Sequence, residues 1–154
     1  MVDYRRGYPP LVGDQRYVAY SYGKQDIRGM PATVGMLDTV VVKEADSGRF
    51  WWTFRVGDIF GEPLIAGDTV FAGTDAGALY ALALTGAERV RWRFEANSPL
   101  RGTPAVDAER VVAAAQNGVV YALDRTTGKT AWEFQAEEKE PRAFQLFSTP
   151  VVAN

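Results

Sequence analysis

The sequence predicts an all-β fold in which one small antiparallel unit recurs along the chain. Three observations support this: a repeat of about 40 residues, Gly and Pro at regular places, and Val, Tyr, Phe, Trp and Thr between them. β-Branched and aromatic residues favour strands, whereas Gly and Pro favour turns. The expected architecture is a partial β-propeller, with about three four-stranded antiparallel blades plus the first strand of a fourth.

The repeat is visible at many independent positions. Tryptophan recurs at intervals of 40 residues, and phenylalanine does the same: the positions are Trp52, Trp92, Trp132, Phe54, Phe94 and Phe134. Other pairs lie 41 residues apart, namely Pro63 and Pro104, Tyr80 and Tyr121, Leu82 and Leu123, and Gly77 and Gly118. A chance match would not keep apolar, glycine and proline positions in one register.

One unit is clearest between residues 103 and 136. Apolar stretches at 103–106, 110–115, 119–123 and 129–135 predict four short strands, with a turn between each pair. The turn at Asn117 and Gly118 suits a hairpin, because both residue types tolerate positive φ.

The repeat divides the chain into five segments. They are an N-terminal extension (1–9), blade 1 (10–60) with an insertion (24–38), blade 2 (61–101), blade 3 (102–147) with a connecting loop (136–147), and the first strand of a fourth blade (148–154).

The last turn of each unit carries a motif that resembles a known family. Residues 122–132 read ALDRTTGKTAW, which is similar to the A-x-D-x-x-T-G-K-x-x-W motif of the PQQ-like, or tryptophan-docking, β-propeller repeats. These repeats occur in quinoprotein dehydrogenases and in BamB-type outer-membrane assembly lipoproteins. Residues 42–52 keep the register with conservative changes, whereas residues 81–92 depart from it and have Ala83 at the Asp position.

The resemblance implies that the most conspicuous residues are structural. In the family, the indole stacks on a peptide plane of the adjacent blade, while Gly and Asp shape the turn. We therefore expect inter-blade packing by the motif tryptophans and turn formation by its other residues: Trp52, Trp92, Trp132, Gly48, Gly86, Gly128 and Asp124.

The side chains that most catalytic sites require are missing or dispersed. The chain has no histidine and no cysteine, which excludes the commonest general base and any thiolate nucleophile. Asp68, Asp75 and Asp107 lie in predicted turns, where turn formation is the expected role. No catalytic, cofactor-binding or metal-ligating residue is predicted, and the chain is expected not to be an enzyme.

The leading hypothesis is a non-catalytic binding or scaffolding propeller segment that forms part of a larger ring. One alternative stays open because the family includes enzymes: a fragment of a PQQ-dependent quinoprotein oxidoreductase, with PQQ and calcium as cofactors. The resemblance implies that such enzymes cap the cofactor with adjacent cysteines, which this chain lacks. A second alternative is an extracytoplasmic ligand-sensing domain.

A protein partner is expected rather than nucleic acid, because the net charge is −2 and no basic stripe exists. In the connecting loop, Arg142, Phe144 and Phe147 either contact a partner or fill a gap between blades. No stretch reads as a signal peptide or a membrane span. The resemblance alone implies an extracytoplasmic location, in the periplasm or at the cell surface.

Three blades cannot close a ring, so both ends of the arc would expose apolar faces and strand edges. Three outcomes are open: the chain is a piece of a longer polypeptide, copies self-associate through the open edges, or the chain is an unstable fragment. The stop at Asn154, after one strand of a fourth blade, favours the first outcome.

Overall fold

The structure is a computed structural model and describes residues 17–22, 37–135 and 149–152. All regular structure in these residues is β-strand, arranged in three antiparallel sheets. The first sheet contains β1 (Tyr17–Tyr22), β2 (Leu37–Glu44) and β3 (Phe50–Ile59). The second contains β4 (Leu64–Ala66), β5 (Thr69–Gly73), β6 (Ala78–Ala83) and β7 (Val90–Glu95). The third contains β8 (Ala105–Val106), β9 (Arg110–Ala114), β10 (Val119–Asp124) and β11 (Thr130–Gln135).

Each sheet is a meander, in which every strand pairs with the strands next to it in sequence. This arrangement confirms the predicted all-β chain of antiparallel units. The same ladder position recurs three times: Trp52 pairs with Val42, Trp92 with Ala81 and Trp132 with Ala122. A β-bulge lies next to that pair in every sheet, beside the turn that precedes the outer strand.

The second sheet lies between the other two, and its faces are buried by different neighbours. Every residue of β5 is buried, because alternate side chains point to opposite faces. One cluster joins the first and second sheets through residues that include Val40, Val42, Trp52, Val70 and Leu82. The other cluster joins the second and third sheets through residues that include Phe71, Leu79, Trp92, Val111 and Leu123.

Several predicted segments lie outside the described residues: the extension 1–9, the first strand of blade 1, most of the insertion 24–38 and the loop 136–147. The strand β2 begins at Leu37, which is inside the predicted insertion, and β3 continues to Ile59. Residues 149–152, expected in the first strand of a fourth blade, form no strand. A strand needs a hydrogen-bonded neighbour, and no described strand pairs with these residues.

In the parts of the chain that the structure describes, no helix is long and apolar enough to cross a membrane.

Candidate functional site

The second and third sheets meet where Trp92 reaches the β10–β11 turn (Asp124–Lys129). The indole Nε1 of Trp92 donates a 2.9 Å hydrogen bond to the carbonyl of Arg125. The ring lies directly on Gly128, since a β-carbon at that residue would be 2.6 Å from Cδ2 of the indole. Gly128 also has a φ of 71°, which favours glycine. Glycine is therefore required here both for the turn and for the contact.

Asp124 holds the β10–β11 turn in shape. Its Oδ1 accepts hydrogen bonds from the backbone N of Thr126 (3.0 Å) and Thr127 (2.8 Å), and from Oγ1 of Thr127 (2.9 Å). Gly128 N donates to the carbonyl of Asp124 at 2.8 Å. The backbone N–H of Thr127, and then its hydroxyl, lower the pKa of Asp124 by stabilising the carboxylate. The acid of the motif is thus a turn former.

The first and second sheets meet in a different way, at the β6–β7 turn (Ala83–Arg89). Trp52 Nε1 donates to the carbonyl of Leu84 at 2.9 Å, and the adjacent Trp51 Nε1 donates to the same oxygen at 2.9 Å. The guanidinium carbon of Arg89 lies 4.3 Å from the centre of the Trp52 ring. Burial lowers the pKa of Arg89. An arginine side chain therefore covers this indole, in place of a glycine backbone.

Gly86 consequently differs from the glycine of the motif that it was predicted to match. Its φ is 97°, but no described atom lies within 4 Å of a β-carbon added there. The cause is the turn length: Ala83 N donates to the carbonyl of Arg89, across one residue more than the equivalent bond from Asp124 N to Lys129 O. The sequence signal for this change was the missing Asp and the shifted spacing, but neither pointed to Arg89 or Trp51.

Trp132 has the same ladder position as Trp92 but a different environment. Its side chain is 45% exposed, whereas that of Trp92 is 8% exposed. Its neighbour Phe134 is 59% exposed, while the equivalent Phe94 is half-buried against the cluster of the second and third sheets. The expected packing of Trp132 between two sheets is therefore not seen among the described residues, since no described sheet lies beyond the third.

We call the exposed side of the third sheet the open face. Its members are the directly opposed pairs of β9, β10 and β11 that turn away from the second sheet: Val112, Ala114, Val120, Ala122, Trp132 and Phe134. Apart from the small Ala114 and Ala122, these residues are half-buried or exposed. Trp132 and Phe134 are the most exposed large side chains of the open face.

The β2–β3 turn (Glu44–Arg49) has the backbone pattern of the turn that receives Trp92. Gly48 N donates to Glu44 O at 3.0 Å, Glu44 N donates to Arg49 O at 2.9 Å, and Gly48 has a φ of 66°. The Arg49 guanidinium and the Ser47 hydroxyl bind the Glu44 carboxylate and lower its pKa. Gly48 is exposed, and no described atom lies within 4 Å of a β-carbon added to it.

The acids singled out in the sequence have partners in the fold. Asp68 forms a 2.5 Å ion pair with Arg91, and Asp75 forms one of the same length with Arg101. Asp107 accepts from the backbone N of Glu109 and Arg110, and these bonds lower its pKa. No group of three or more acids in the described residues is placed to hold a metal ion. Arg142, Phe144 and Phe147 lie outside the described residues.

The model of the family described as outer membrane protein assembly factor BamB matches residues 32–154. The crystal structure of BamB from Moraxella catarrhalis is similar, with a TM-score of 0.57 and 24% identity over 64% of this chain. That match spans only 30% of the BamB chain, and at this identity it shows the fold alone. No curated protein matches this sequence.

These findings confirm the resemblance to PQQ-like propeller repeats, because the matched region contains all three motif tryptophans and every described strand except β1. The chain therefore belongs to the family of the outer membrane protein assembly factor BamB.

Proposed function

We propose that this chain is a non-catalytic scaffolding segment of a β-propeller and that it binds a protein through the open face. The observation that carries the proposal is the contrast between equivalent residues. Trp92 is buried by the next sheet, whereas Trp132 is 45% exposed and Phe134 is 59% exposed. Contiguous exposed aromatic residues are typical of surfaces that another protein covers, since Trp and Phe contribute strongly to interface cores.

The electrostatics of the acids support a structural role for them. A shifted pKa marks a functional candidate only when the group lies in a cleft with no structural explanation. Asp107 and Asp124 are half-buried, and backbone hydrogen bonds within their own turns lower their pKa values. Burial raises the pKa of Glu62, whose backbone N donates to the Thr103 hydroxyl at the junction of two sheets. None of these shifts requires a catalytic explanation.

The family supports a protein as the partner. BamB is described as an assembly factor for outer membrane proteins, which is a role in handling other proteins. For this chain we propose the same class of partner and an extracytoplasmic location. A motif tryptophan or phenylalanine on an accessible sheet face supplies the anchor that such a contact needs.

Site-specific photocrosslinking tests the proposal. A benzophenone amino acid is placed at Phe134, on the open face, and in a matched variant at Glu133, which is exposed on the same strand but points to the other side. We expect a discrete covalent adduct from position 134 and none from position 133, and Phe134→Ser should weaken binding of the purified partner. Equal adducts from both positions would contradict a specific open-face contact.

The quinoprotein alternative has its own test. PQQ and calcium are titrated together into the full chain, and binding is measured by calorimetry. We propose that no cofactor binds, so the expected heat is that of dilution. Saturable binding with calcium dependence would support the oxidoreductase reading and count against the scaffold.

A further inference from the structure

We propose that Asn117 is a site of spontaneous covalent modification, at which the side-chain amide becomes a carboxyl group through a cyclic imide formed with Gly118. Both residues belong to the β9–β10 turn (Ala115–Gly118) of the third sheet. The modification is independent of the proposed function, because it needs only water and the geometry of this turn.

The chemistry is an attack of the backbone on the neighbouring side chain. The backbone nitrogen of Gly118 bonds to Cγ of Asn117, the Cγ–Nδ2 bond breaks, and Nδ2 leaves as ammonia with the proton of the Gly118 nitrogen. Water then opens the imide ring at either carbonyl. One product has aspartate at residue 117, and the other has an isoaspartyl linkage, in which the main chain passes through the former side chain.

The position of Asn117 favours this reaction over the same reaction at the other asparagine of the described residues. Asn117 is exposed, so water reaches its amide, and it is followed by Gly118, which has no β-carbon to hinder ring closure. Gly118 has a φ of 89°, so the turn itself requires glycine there. Asn97 is also exposed, but the side chain of Ser98 stands beside the nitrogen that would attack.

The side-chain carbonyl of Asn117 is held in a suitable place. The backbone N–H of Val119 donates a 3.3 Å hydrogen bond to Oδ1 of Asn117. Since Gly118 lies between these two residues, the bond folds the amide back over the nitrogen that attacks. The same N–H stabilises the negative charge that develops on Oδ1 when the Gly118 nitrogen adds to Cγ.

Two other hydrogen bonds oppose the reaction. The Gly118 N–H donates to the carbonyl of Ala115 at 3.0 Å, and this bond has to open before the nitrogen can attack. The backbone N of Asn117 donates to Oγ of Ser98 at 3.1 Å, which ties the turn to the segment before β8. We therefore expect a slow conversion, whose rate depends on how often this turn opens.

The second sheet contains the same turn without the reactive amide. In the β5–β6 turn (Thr74–Gly77), Gly77 has a φ of 87° and its N–H donates to the carbonyl of Thr74 at 3.1 Å. Ala76 is exposed in the place of Asn117. The β5–β6 turn shows that this backbone geometry is compatible with alanine, so Asn117 is not needed to form it.

The two turns also differ in the N–H group that would assist the reaction. In the second sheet the equivalent N–H, that of Ala78, donates to the hydroxyl of Thr74 at 3.0 Å. The third sheet has Ala115 in the place of Thr74, which has no hydroxyl, and the N–H of Val119 reaches Oδ1 of Asn117 instead. An asparagine in the β5–β6 turn would therefore lack this hydrogen bond.

Either product changes the junction of the second and third sheets. The formal net charge falls from −2 to −3, because one neutral amide becomes one carboxylate. The isoaspartyl linkage also lengthens the main chain within the turn. The bond from Gln116 N to the Pro99 carbonyl (2.9 Å) and the bond from Asn117 N to Ser98 both depend on the shape of the turn. The isoaspartyl form should therefore unfold at a lower temperature than the unmodified chain.

The first experiment incubates the purified chain in mildly alkaline buffer and follows residues 97 and 117 separately by mass spectrometry of peptides. We expect the mass increase of an amide-to-acid conversion in the peptide that contains Asn117, with isoaspartate detected by an isoaspartyl-specific methyltransferase. Asn117→Ala, which gives this turn the residue that the second sheet has, should lose the conversion. No conversion at Asn117, or an equal conversion at Asn97, would overturn the inference.

A second experiment tests the assistance by the Val119 N–H. Ala76→Asn places an asparagine before glycine in the β5–β6 turn, where the Thr74 hydroxyl accepts the equivalent N–H. We expect residue 76 to be converted severalfold more slowly than Asn117 in the same chain, and Thr74→Ala in addition should remove most of this difference. Equal rates at residues 76 and 117 before Thr74 is changed would overturn the role of the hydrogen bond to Oδ1.

Discussion

The indole of Trp92 lies on the backbone of Gly128, so close that any β-carbon at residue 128 would overlap the ring. This relationship joins the outer strand of the second sheet to the turn of the third. It also leads to the first prediction, because the glycine serves the turn and the contact together.

Gly128→Ala should lower the free energy of unfolding by about 2–4 kcal/mol, since positive φ costs an L-residue about 1–2 kcal/mol and overpacking adds a similar amount. Gly86→Ala is the matched control, because Gly86 also has positive φ but no described atom lies within 4 Å of a β-carbon added there. Gly86→Ala should lower the free energy of unfolding only by the cost of positive φ, because no ring is displaced. Urea unfolding monitored by tryptophan fluorescence measures both, and equal losses would show that the indole contact contributes nothing.

The equivalent tryptophans should differ sharply in their effect on stability. Trp92→Ala removes a buried ring and should cost about 3–5 kcal/mol. Trp132→Ala should cost less than about 1 kcal/mol, because the ring is 45% exposed. Chemical denaturation of both variants at low concentration tests this, and similar losses would mean that Trp132 is buried in solution.

Arg89 should contribute to stability through the ring that it covers. Arg89→Ala removes the cation–π contact with Trp52 and the bond from Nη1 to the Ala83 carbonyl, and should cost about 1–2 kcal/mol. Arg91→Ala is the control, because its ion pair with Asp68 is exposed and should contribute less than about 1 kcal/mol. Thermal unfolding compares the two, and a larger effect for Arg91 would refute the assignment.

Stability should fall in acid, because turn hydrogen bonds and ion pairs lower the pKa values of Asp124, Asp107, Glu44 and Asp68. A depressed carboxyl pKa means that the unfolded chain takes up protons first as the pH falls. The stabilisation is complete above the ordinary value of 3.8 for Asp and is lost as the pH drops through the lower folded value. Glu62 acts in the opposite direction, since burial raises its pKa.

Asp124→Asn tests this pH dependence, because Asn keeps an oxygen that can accept the Thr126 and Thr127 hydrogen bonds but does not titrate. The loss of stability between pH 5 and pH 2, measured by urea unfolding, should be smaller in this variant than in the wild type. Glu88→Gln, which removes one charge at an exposed acid of the β6–β7 turn, is the charge-matched control with which the Asp124→Asn profile is compared. An unchanged profile for Asp124→Asn would show that the hydrogen bonds do not depend on the charge.

The fold could be predicted from the sequence because the same pattern of strand, turn and tryptophan residues recurs in each unit. The motif predicted that Asp124 and Gly128 shape a turn and that Trp92 packs against the next unit. The structure places all three residues where the second and third sheets meet. Local pattern and tertiary contact agree at these residues.

The remaining features depend on neighbours that a local pattern does not encode. Arg89 covers Trp52 because the β6–β7 turn is one residue longer, which changes the side chain that reaches the ring. Trp132 has the same ladder partner as Trp92, yet its exposure is decided by what lies beyond the third sheet. Periodicity treats such positions as equal, and only the arrangement of the sheets distinguishes them.

The packing of Trp92 on Gly128 has a consequence for how such a chain evolves. The tryptophan belongs to one repeat and the glycine that it contacts belongs to the next. Selection therefore acts on pairs of residues from two neighbouring repeats. Duplication of one repeat supplies both a new tryptophan and a new glycine, so the array can lengthen by reusing the same contact. Where the glycine contact is absent, as at the β6–β7 turn, another residue of the repeat that follows the tryptophan has to cover the indole. Arg89 does this for Trp52.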